Sequence, residues 1–180
     1  MREPKDIQIR EYTLAENLEI HKHWLDEDCE GWDRMYGDLR GVDLSYANLK
    51  EADLFAADLR GANLDYADLS DAEFWSTNLS GASFEGANLS HTNLTNAKLN
   101  GVSLRYATLT HAELVRSDLR GANLEKADFK KADLRKANLS GAILTSANFE
   151  EAKLFRAVLN GVILDGAITD KANFDEAFID

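Results

Sequence analysis

Large apolar residues recur at every fifth position along most of the chain. From Leu39 to Leu164 each of these positions holds Leu or Phe, and the frame continues as Phe174 and Ile179, broken only by Thr169. We call this residue the centre of a five-residue unit. The residue two places before the centre is small, usually Ala, and the residue between them is mostly Asp, Asn, Ser, Thr or Glu.

A five-residue period fits neither one long helix nor one long strand, so the chain must turn once in every unit. In extended backbone the centre and the small residue two places earlier point the same way, inward, and the polar residue between them points outward. The two residues after the centre are mostly polar or Gly, which suits a corner. Each unit therefore predicts a short strand followed by a tight turn.

Glycine recurs every twenty residues, at Gly41, Gly61, Gly81, Gly101, Gly121, Gly141 and Gly161. Four units therefore close one coil. A turn whose third residue has positive φ selects Gly, and we expect type I geometry at the other three corners. Tyr46, Tyr66 and Tyr106 share this spacing, interrupted by Gly86, and predict an aromatic ladder.

The units at residues 57–61 (ADLRG), 62–66 (ANLDY) and 137–141 (ANLSG) resemble the A(D/N)LXX pattern of the pentapeptide-repeat family. The resemblance implies an all-β solenoid, a right-handed quadrilateral β-helix, and its handedness rests on the resemblance alone. From Gly37 to Asp180 there are 144 residues, and 144/20 gives about seven coils. At ~4.8 Å per coil the rod would be roughly 35 Å long.

We expect residues 1–36 to form an N-terminal arm with a capping helix, and residues 37–180 to form the β-helix. Thr13 and Glu16 have the spacing of a capping box, and apolar residues follow at helical spacing. The pattern predicts a helix from about residue 14 to 27 that lays Leu18, Trp24 and Leu25 on the first coil, because an open coil needs a cover.

The formal net charge of −12 argues against a general binder of nucleic acid or of membrane surfaces, since both need basic patches. The N-terminus is charged and no apolar segment of export or membrane-spanning length follows, so we expect a cytoplasmic protein. Cys29 is the only cysteine, which suits a reducing compartment. It is either a structural thiol or a reactive one.

No nucleotide-binding or metalloprotease motif and no Cys-x-x-Cys pair occurs, so we expect no enzyme activity and no catalytic, cofactor or metal site. The repeat itself accounts for the many outward Asp residues. His21 and His23 are too close in sequence to share a helical face. His91 and His111, twenty residues apart, should stack on one face as a solvent-facing ladder.

Two surface regions are candidate partner contacts. Phe55 and Trp75 should stack one coil apart at outward positions, as an exposed aromatic pair that the N-terminal arm, residues 1–12, could instead cover. A basic cluster that includes Arg116, Arg135 and Lys136 could bind an acidic partner. The alternative is a solvated face.

In that alternative, Lys130 and Lys131 pair with Glu150 and Glu151 one coil above. Residues 37–104 hold ten acidic and four basic residues, a balance of −6, and residues 105–180 hold twelve and eleven, a balance of −1. The acidic surface is therefore concentrated in the N-terminal coils.

Outward positions turn apolar near the C-terminus, at Phe155, Val158, Ile163, Ile168 and Phe178. These residues predict a homodimer joined end to end through the C-terminal coil. The alternative is that they only tighten a fraying terminus.

We expect a scaffold that binds a protein partner. The family resemblance adds a second hypothesis, since some members mimic duplex DNA and act on DNA gyrase. The predicted dimer fits that role, as do acidic residues of the N-terminal coils, namely Asp38, Asp43, Asp53, Asp58, Asp65, Asp68 and Asp71. The modest net charge and the nearly neutral C-terminal half do not fit the role of a DNA mimic.

Overall fold

The computed structural model describes residues 2–6, 8–9, 12–13, 15–16 and 38–180. From Asp38 onward, parallel bridges join each outward residue to the one twenty places later, from the Asp38–Asp58 bridge to the Val158–Phe178 bridge. Each circuit of the backbone therefore takes twenty residues and four units. The result is a four-sided β-helix, as the glycine and tyrosine spacing predicted.

Backbone hydrogen bonds hold each coil to the coils on both sides. The amide of Leu44 donates to the carbonyl of Asn63 in the next coil at 2.7 Å, and the amide of Asn63 donates back to Val42 at 2.9 Å. Each corner is closed by a bond within the turn, such as the 3.1 Å bond from the Ala47 amide to the Leu44 carbonyl. Because the ladder is parallel and continuous, equivalent side chains of successive coils lie above one another.

The core is a shaft of stacked centres. Every centre from Leu39 to Leu159 is buried, and Phe129 and Phe149 stack with ring centroids 5.1 Å apart. The Ala and Val residues two places earlier pack beside the centres in the same buried cluster. In the last coil Leu164 and Phe174 are half-buried and Ile179 is exposed.

The prediction of type I turns at three corners of each coil is wrong. The third residue of every corner, in steps of five from Gly41 to Glu176, has a positive φ, including charged residues such as Lys126 at 57°. A left-handed conformation costs a non-glycine residue about 1–2 kcal/mol. The amide of that residue donates a hydrogen bond to the next coil, as Lys126 does to the Thr145 carbonyl at 2.9 Å. This hydrogen bond compensates for the conformational cost. Nothing in the structure explains why seven of the nine corner glycines lie in one column.

The N-terminal segment adds a short edge to the first coil. Arg2 forms a parallel bridge with Ala47, and the amide of Asn48 donates to the Arg2 carbonyl at 2.6 Å. Pro4–Asp6 is a 3₁₀ turn, and strand β1 (Gln8–Ile9) pairs antiparallel with strand β2 (Tyr12–Thr13). Sequence reasoning missed the Arg2 edge, because residues 1–6 do not resemble a repeat unit.

The capping box forms between Thr13 and Glu16. Glu16 accepts from the Thr13 amide at 2.7 Å, and the Glu16 amide donates to Thr13 Oγ1 at 3.2 Å. The hydrogen bonds that the Glu16 carboxylate accepts from the Thr13 amide and the Thr13 hydroxyl hold the pKa of Glu16 below its usual value. Ala15 and Glu16 are helical, but the rest of the predicted helix at 14–27 falls outside the described residues, as does the boundary at residue 36. Both stay predictions.

Leu18, Trp24 and Leu25, predicted to cover the first coil, also lie outside the described residues, as do His21, His23 and Cys29. Within the described ranges, no helix has both the length and the apolar character needed to cross a bilayer.

Candidate interaction surfaces

The Asp and Asn residues before the centres have a local structural role. Their side chains accept a hydrogen bond from the amide of the residue after the centre, as Asp43 does from Ser45 at 3.0 Å and Asn63 from Asp65 at 3.0 Å. In Asp43 the hydrogen bonds with Ser45 are the main cause of a lowered pKa, and the Arg2 guanidinium adds to it. The recurrence of Asp and Asn along the faces therefore has a structural explanation, the stabilisation of the turns.

Units with the sequence Asp-Leu-Arg neutralise their own carboxylate. The Arg120 guanidinium binds Asp118 through two hydrogen bonds, Nε to Oδ1 at 2.8 Å and Nη2 to Oδ2 at 2.7 Å. Arg135 contacts Asp133 in the same way. Residues 38–40 and 58–60 repeat the arrangement. Sequence reasoning missed these pairs, although residues two apart in a strand share a face.

The predicted aromatic pair is present. Phe55 and Trp75 stack with ring centroids 4.7 Å apart and an angle of 23° between their planes. Trp75 is exposed to 44%, and Phe55 is partly exposed. Arg2 and Glu3 of the N-terminal arm contact Asp43 and Asn48. Whether the rest of the arm covers the pair stays a prediction.

The aromatic pair lines a surface depression together with Asp53, Glu73 and Asn93. We call these five residues the aromatic slot. Asp53 Oδ1 accepts from the Phe55 amide at 3.0 Å, and Glu73 Oε2 accepts from Asn93 Nδ2 at 2.9 Å. The slot thus combines exposed π faces with carboxylates held in place by hydrogen bonds.

The basic cluster is largely paired within the chain. Lys130 contacts Glu150 at 2.7 Å and Lys131 contacts Glu151 at 3.9 Å, as the solvated-face alternative predicted. The hydrogen bond between Lys130 and Glu150 raises the pKa of Lys130 and lowers that of Glu150. Arg135, a predicted contact residue, is held by Asp133.

Arg116 and Lys136 remain available. Both are exposed corner residues in the same column, one coil apart, and neither has an ion pair among the described residues. We call them the basic corner. Of the cations in the predicted cluster, these two combine exposure with freedom from a partner carboxylate in the described part of the chain.

Apolar residues lie on three of the four faces of the last coils and at one corner. We call Phe155, Val158, Ile163, Ile168 and Phe178 the C-terminal collar. Ile163, Ile168 and Phe178 are exposed to 48%, 49% and 61%, whereas Phe155 and Val158 are half-buried. The Arg156 guanidinium lies 5.0 Å from the Phe155 ring centre. An aliphatic or aromatic side chain before a centre cannot accept the hydrogen bond that Asp or Asn accepts from the backbone amide. The collar residues before a centre therefore expose apolar surface and lack this stabilisation of the turn.

Two further ladders lie on the corners. Tyr46 stacks on Tyr66 at 5.2 Å, and His91 stacks on His111 at 4.9 Å with planes 6° apart, both as predicted. Tyr106, beyond Gly86, contacts cations instead, with Arg105 and Lys126 near its ring. Among the residues that the structure describes, no group of three or more His, Cys, Asp or Glu side chains is placed to hold a metal ion.

The sequence profile of pentapeptide repeats matches the chain in eight copies, over residues 38–71, 67–105, 103–141 and 132–168. The matched segments together cover more than half of the chain. No curated protein sequence matches it.

Solved structures of three other proteins are similar to this chain. HetL, a pentapeptide repeat protein involved in heterocyst differentiation regulation in Nostoc sp. strain PCC 7120, is 38% identical over 79% of this chain and 70% of its own, with a TM-score of 0.47. Rfr23 from the cyanobacterium Cyanothece 51142 is 26% identical, covering 71% and 91%, with a TM-score of 0.40.

The third is a trypsin-treated form of QnrB1, a plasmid-mediated fluoroquinolone resistance protein. It is 20% identical over 79% of this chain and 84% of its own, with a TM-score of 0.52. That likeness shows a common fold, the right-handed quadrilateral β-helix of pentapeptide repeat proteins. Together with the profile match, it shows that the chain belongs to the pentapeptide-repeat family.

Proposed function

We propose that the chain is a non-enzymatic scaffold that binds another protein through the outer faces of its β-helix. At twenty residues a coil, residues 38–180 make about seven coils, since 143/20 is close to seven. The rod is then roughly 35 Å long at ~4.8 Å per coil. Repeat solenoids use such regular faces as extended binding surfaces.

The observation that carries the proposal is the exposed Phe55–Trp75 stack in the aromatic slot. Large aromatic residues are enriched at protein interfaces, because they bury much area at low conformational cost. A repeat that needs only a small polar residue at this corner instead places two stacked rings there, and nothing in the core requires them. The basic corner, Arg116 and Lys136, lies on the same edge of the rod and extends the surface toward the C-terminus.

Affinity capture with matched variants tests the proposal. The tagged chain is incubated with lysate of its source, and bound proteins are identified by mass spectrometry. We expect a specific protein to be retained by the wild type and lost with Trp75→Ala. Tyr106→Ala is the control, because Tyr106 is also exposed to 44% but lies on another corner. Retention of no specific protein, or equal retention by both variants, would contradict the role of this surface.

We further propose that two chains associate through the C-terminal collar. Ile163, Ile168 and Phe178 expose apolar surface where earlier coils carry Asn123, Asp128 and Asn138, which hydrogen-bond to their own turns. Several exposed apolar side chains grouped at one end of a protein are typical of an association site. A two-fold axis would pair the same coil of each chain.

A DNA-mimicking action on gyrase is a second candidate, favoured by the balance of −6 over residues 37–104. Ion pairing reduces that support, since Asp38 and Asp58 are each held by an arginine and Asp43 faces Arg2. A gyrase supercoiling assay with a quinolone present tests the idea. Inhibition or protection at micromolar protein would support it, and neither effect would remove it.

A further inference from the structure

The chain shows how its own faces bind a guanidinium. In the unit 133–135 the carboxylate before the centre and the arginine after it lie side by side on the outer face, and Arg135 contacts Asp133 through a 2.7 Å bond from each of Nε and Nη2. The same contact recurs at 38–40, 58–60 and 118–120. The space above a buried centre, next to an outward carboxylate, is thus a guanidinium site in four units.

Two units keep the carboxylate but have an aromatic residue in place of the arginine. Residues 53–55 and 73–75 have Asp53 and Glu73 before the centre, and Phe55 and Trp75 where the other units have Arg. Each carboxylate uses one oxygen for a hydrogen bond, Asp53 Oδ1 with the Phe55 amide and Glu73 Oε2 with Asn93. Within the described part of the chain, Asp53 Oδ2 and Glu73 Oε1 have no hydrogen-bond donor or cation.

The aromatic residues supply the second half of a cation site. The stacked rings of Phe55 and Trp75 line the depression together with Asp53, Glu73 and Asn93. The next residue of the column is Thr95, a smaller side chain, so the stack ends at Trp75. A guanidinium stacks on aromatic faces and binds carboxylates through two parallel bonds, and an amide such as Asn93 adds a polar partner.

We propose that the aromatic slot binds an arginine side chain of a basic segment in a partner protein. The proposal rests on the scaffold function and adds the chemistry of the partner. The balance of −6 over residues 37–104 attracts such a segment toward this end of the rod. Arginine is favoured over lysine because its planar group satisfies the carboxylate and the ring together.

A peptide titration tests the slot directly. The probe is acetyl-Gly-Gly-Arg-Gly-Gly-amide, and its match replaces arginine by citrulline, which has the same shape without the charge. Binding is followed by the NMR shift of the Trp75 indole N–H, assigned with Trp75→Ala. We expect saturable binding of the arginine peptide on the order of millimolar, as suits one side chain, and at least tenfold weaker binding of the citrulline peptide.

Protein variants locate the contact. The double variant Asp53→Asn, Glu73→Gln should weaken the arginine peptide at least fivefold, because both replacements keep their local hydrogen-bond acceptor but lose the charge. Glu113→Gln, in the same column but followed by Val115, should bind like the wild type. Circular dichroism of each variant checks that the β-helix is intact. Equal binding of the two peptides, or no loss in the double variant, would overturn the proposal.

The peptide and capture experiments fail independently. If a protein is captured but the arginine peptide does not bind, the scaffold function stands and the arginine slot is wrong. If the peptide binds with the expected variant effects but no protein is captured, the slot stands and the scaffold function loses its support.

Discussion

The ring of Tyr66 occupies the space that a side chain at Gly86 would need. A Cβ atom at position 86 would lie 2.6 Å from Cε1 and 2.7 Å from Cδ1 of Tyr66. Tyr66 also stacks on Tyr46. Its ring lies over the next coil at position 86, where glycine leaves room for it. The gap that interrupts the tyrosine column is therefore part of the ladder.

Gly86→Ala should destabilise the protein more than Gly101→Ala. Both glycines have positive φ, and each replacement costs about 1 kcal/mol for that reason. Gly101 has no atom within 4 Å of the added Cβ, whereas Ala at 86 must displace the Tyr66 ring. The lost stacking adds about 0.5–1.5 kcal/mol. Chemical denaturation measures both, and the extra cost should vanish in a Tyr66→Ala background.

Leu104→Ala should be among the more damaging core changes. Leu104 is fully buried in a central coil, and truncating a buried leucine costs about 2–5 kcal/mol. Ile179→Ala, at a centre that is 57% exposed in the last coil, should stay within about 0.5 kcal/mol. Urea midpoints followed by circular dichroism compare them. Equal midpoints would contradict a continuous central shaft.

Asp118→Asn should lower stability at neutral pH but not at acid pH. The hydrogen bonds from the Arg120 guanidinium hold the pKa of Asp118 below its usual value. A carboxyl group with a lowered folded pKa stabilises the fold above its unfolded pKa of ~3.9, and this contribution is lost as the pH falls through the folded pKa. Asn keeps the turn bond, as Asn138 does with Ser140 one coil further along.

The effect should be small, since Arg120 is largely exposed and water screens the pair. Thermal unfolding at pH 7 and near pH 2 measures it, and 1 M salt should reduce the difference at pH 7. Asp128→Asn is the control for lost charge, because Asp128 accepts the amide of Lys130 but has no ion pair in the described region. A pH-independent loss in Asp118→Asn would contradict the role of the arginine.

Ile168→Lys combined with Phe178→Lys should convert a dimer to a monomer. Both side chains are exposed in the C-terminal collar, and a two-fold contact would place the new charges near their own copies. Sedimentation velocity at micromolar concentration measures the state. Ile143→Lys, on the same face as Ile163 but one coil earlier, is the control. A wild-type protein that is monomeric at that concentration would contradict the dimer.

The spacing of the centres, together with the twenty-residue spacing of the glycines, was enough to predict a four-sided β-helix. Only a circuit of twenty residues buries Leu104 and its counterparts while stacking Tyr46 on Tyr66 and Phe55 on Trp75. The twenty-residue spacing of equivalent positions therefore predicted the Phe55–Trp75 pair and the Lys130–Glu150 contact correctly. These contacts depend on the period alone.

The corner conformations could not be predicted from their residues. Lys126 and Glu151 have no intrinsic preference for positive φ, and the ladder bonds impose it on them. The ion pairs of the Asp-Leu-Arg units were predictable in principle from the two-residue strand period. The contact of Arg2 with the first coil was not, because it joins residues distant in sequence without the repeat.

The parallel ladder makes every surface position depend on the number of units before it. Deleting one five-residue unit between Trp75 and Arg116 would leave each later leucine inside, because any unit can follow any other along the shaft. It would, however, turn all later side chains to the neighbouring face and take the basic corner off the edge that carries the aromatic slot. Changes of length that keep both surfaces aligned must therefore come in whole coils of twenty residues.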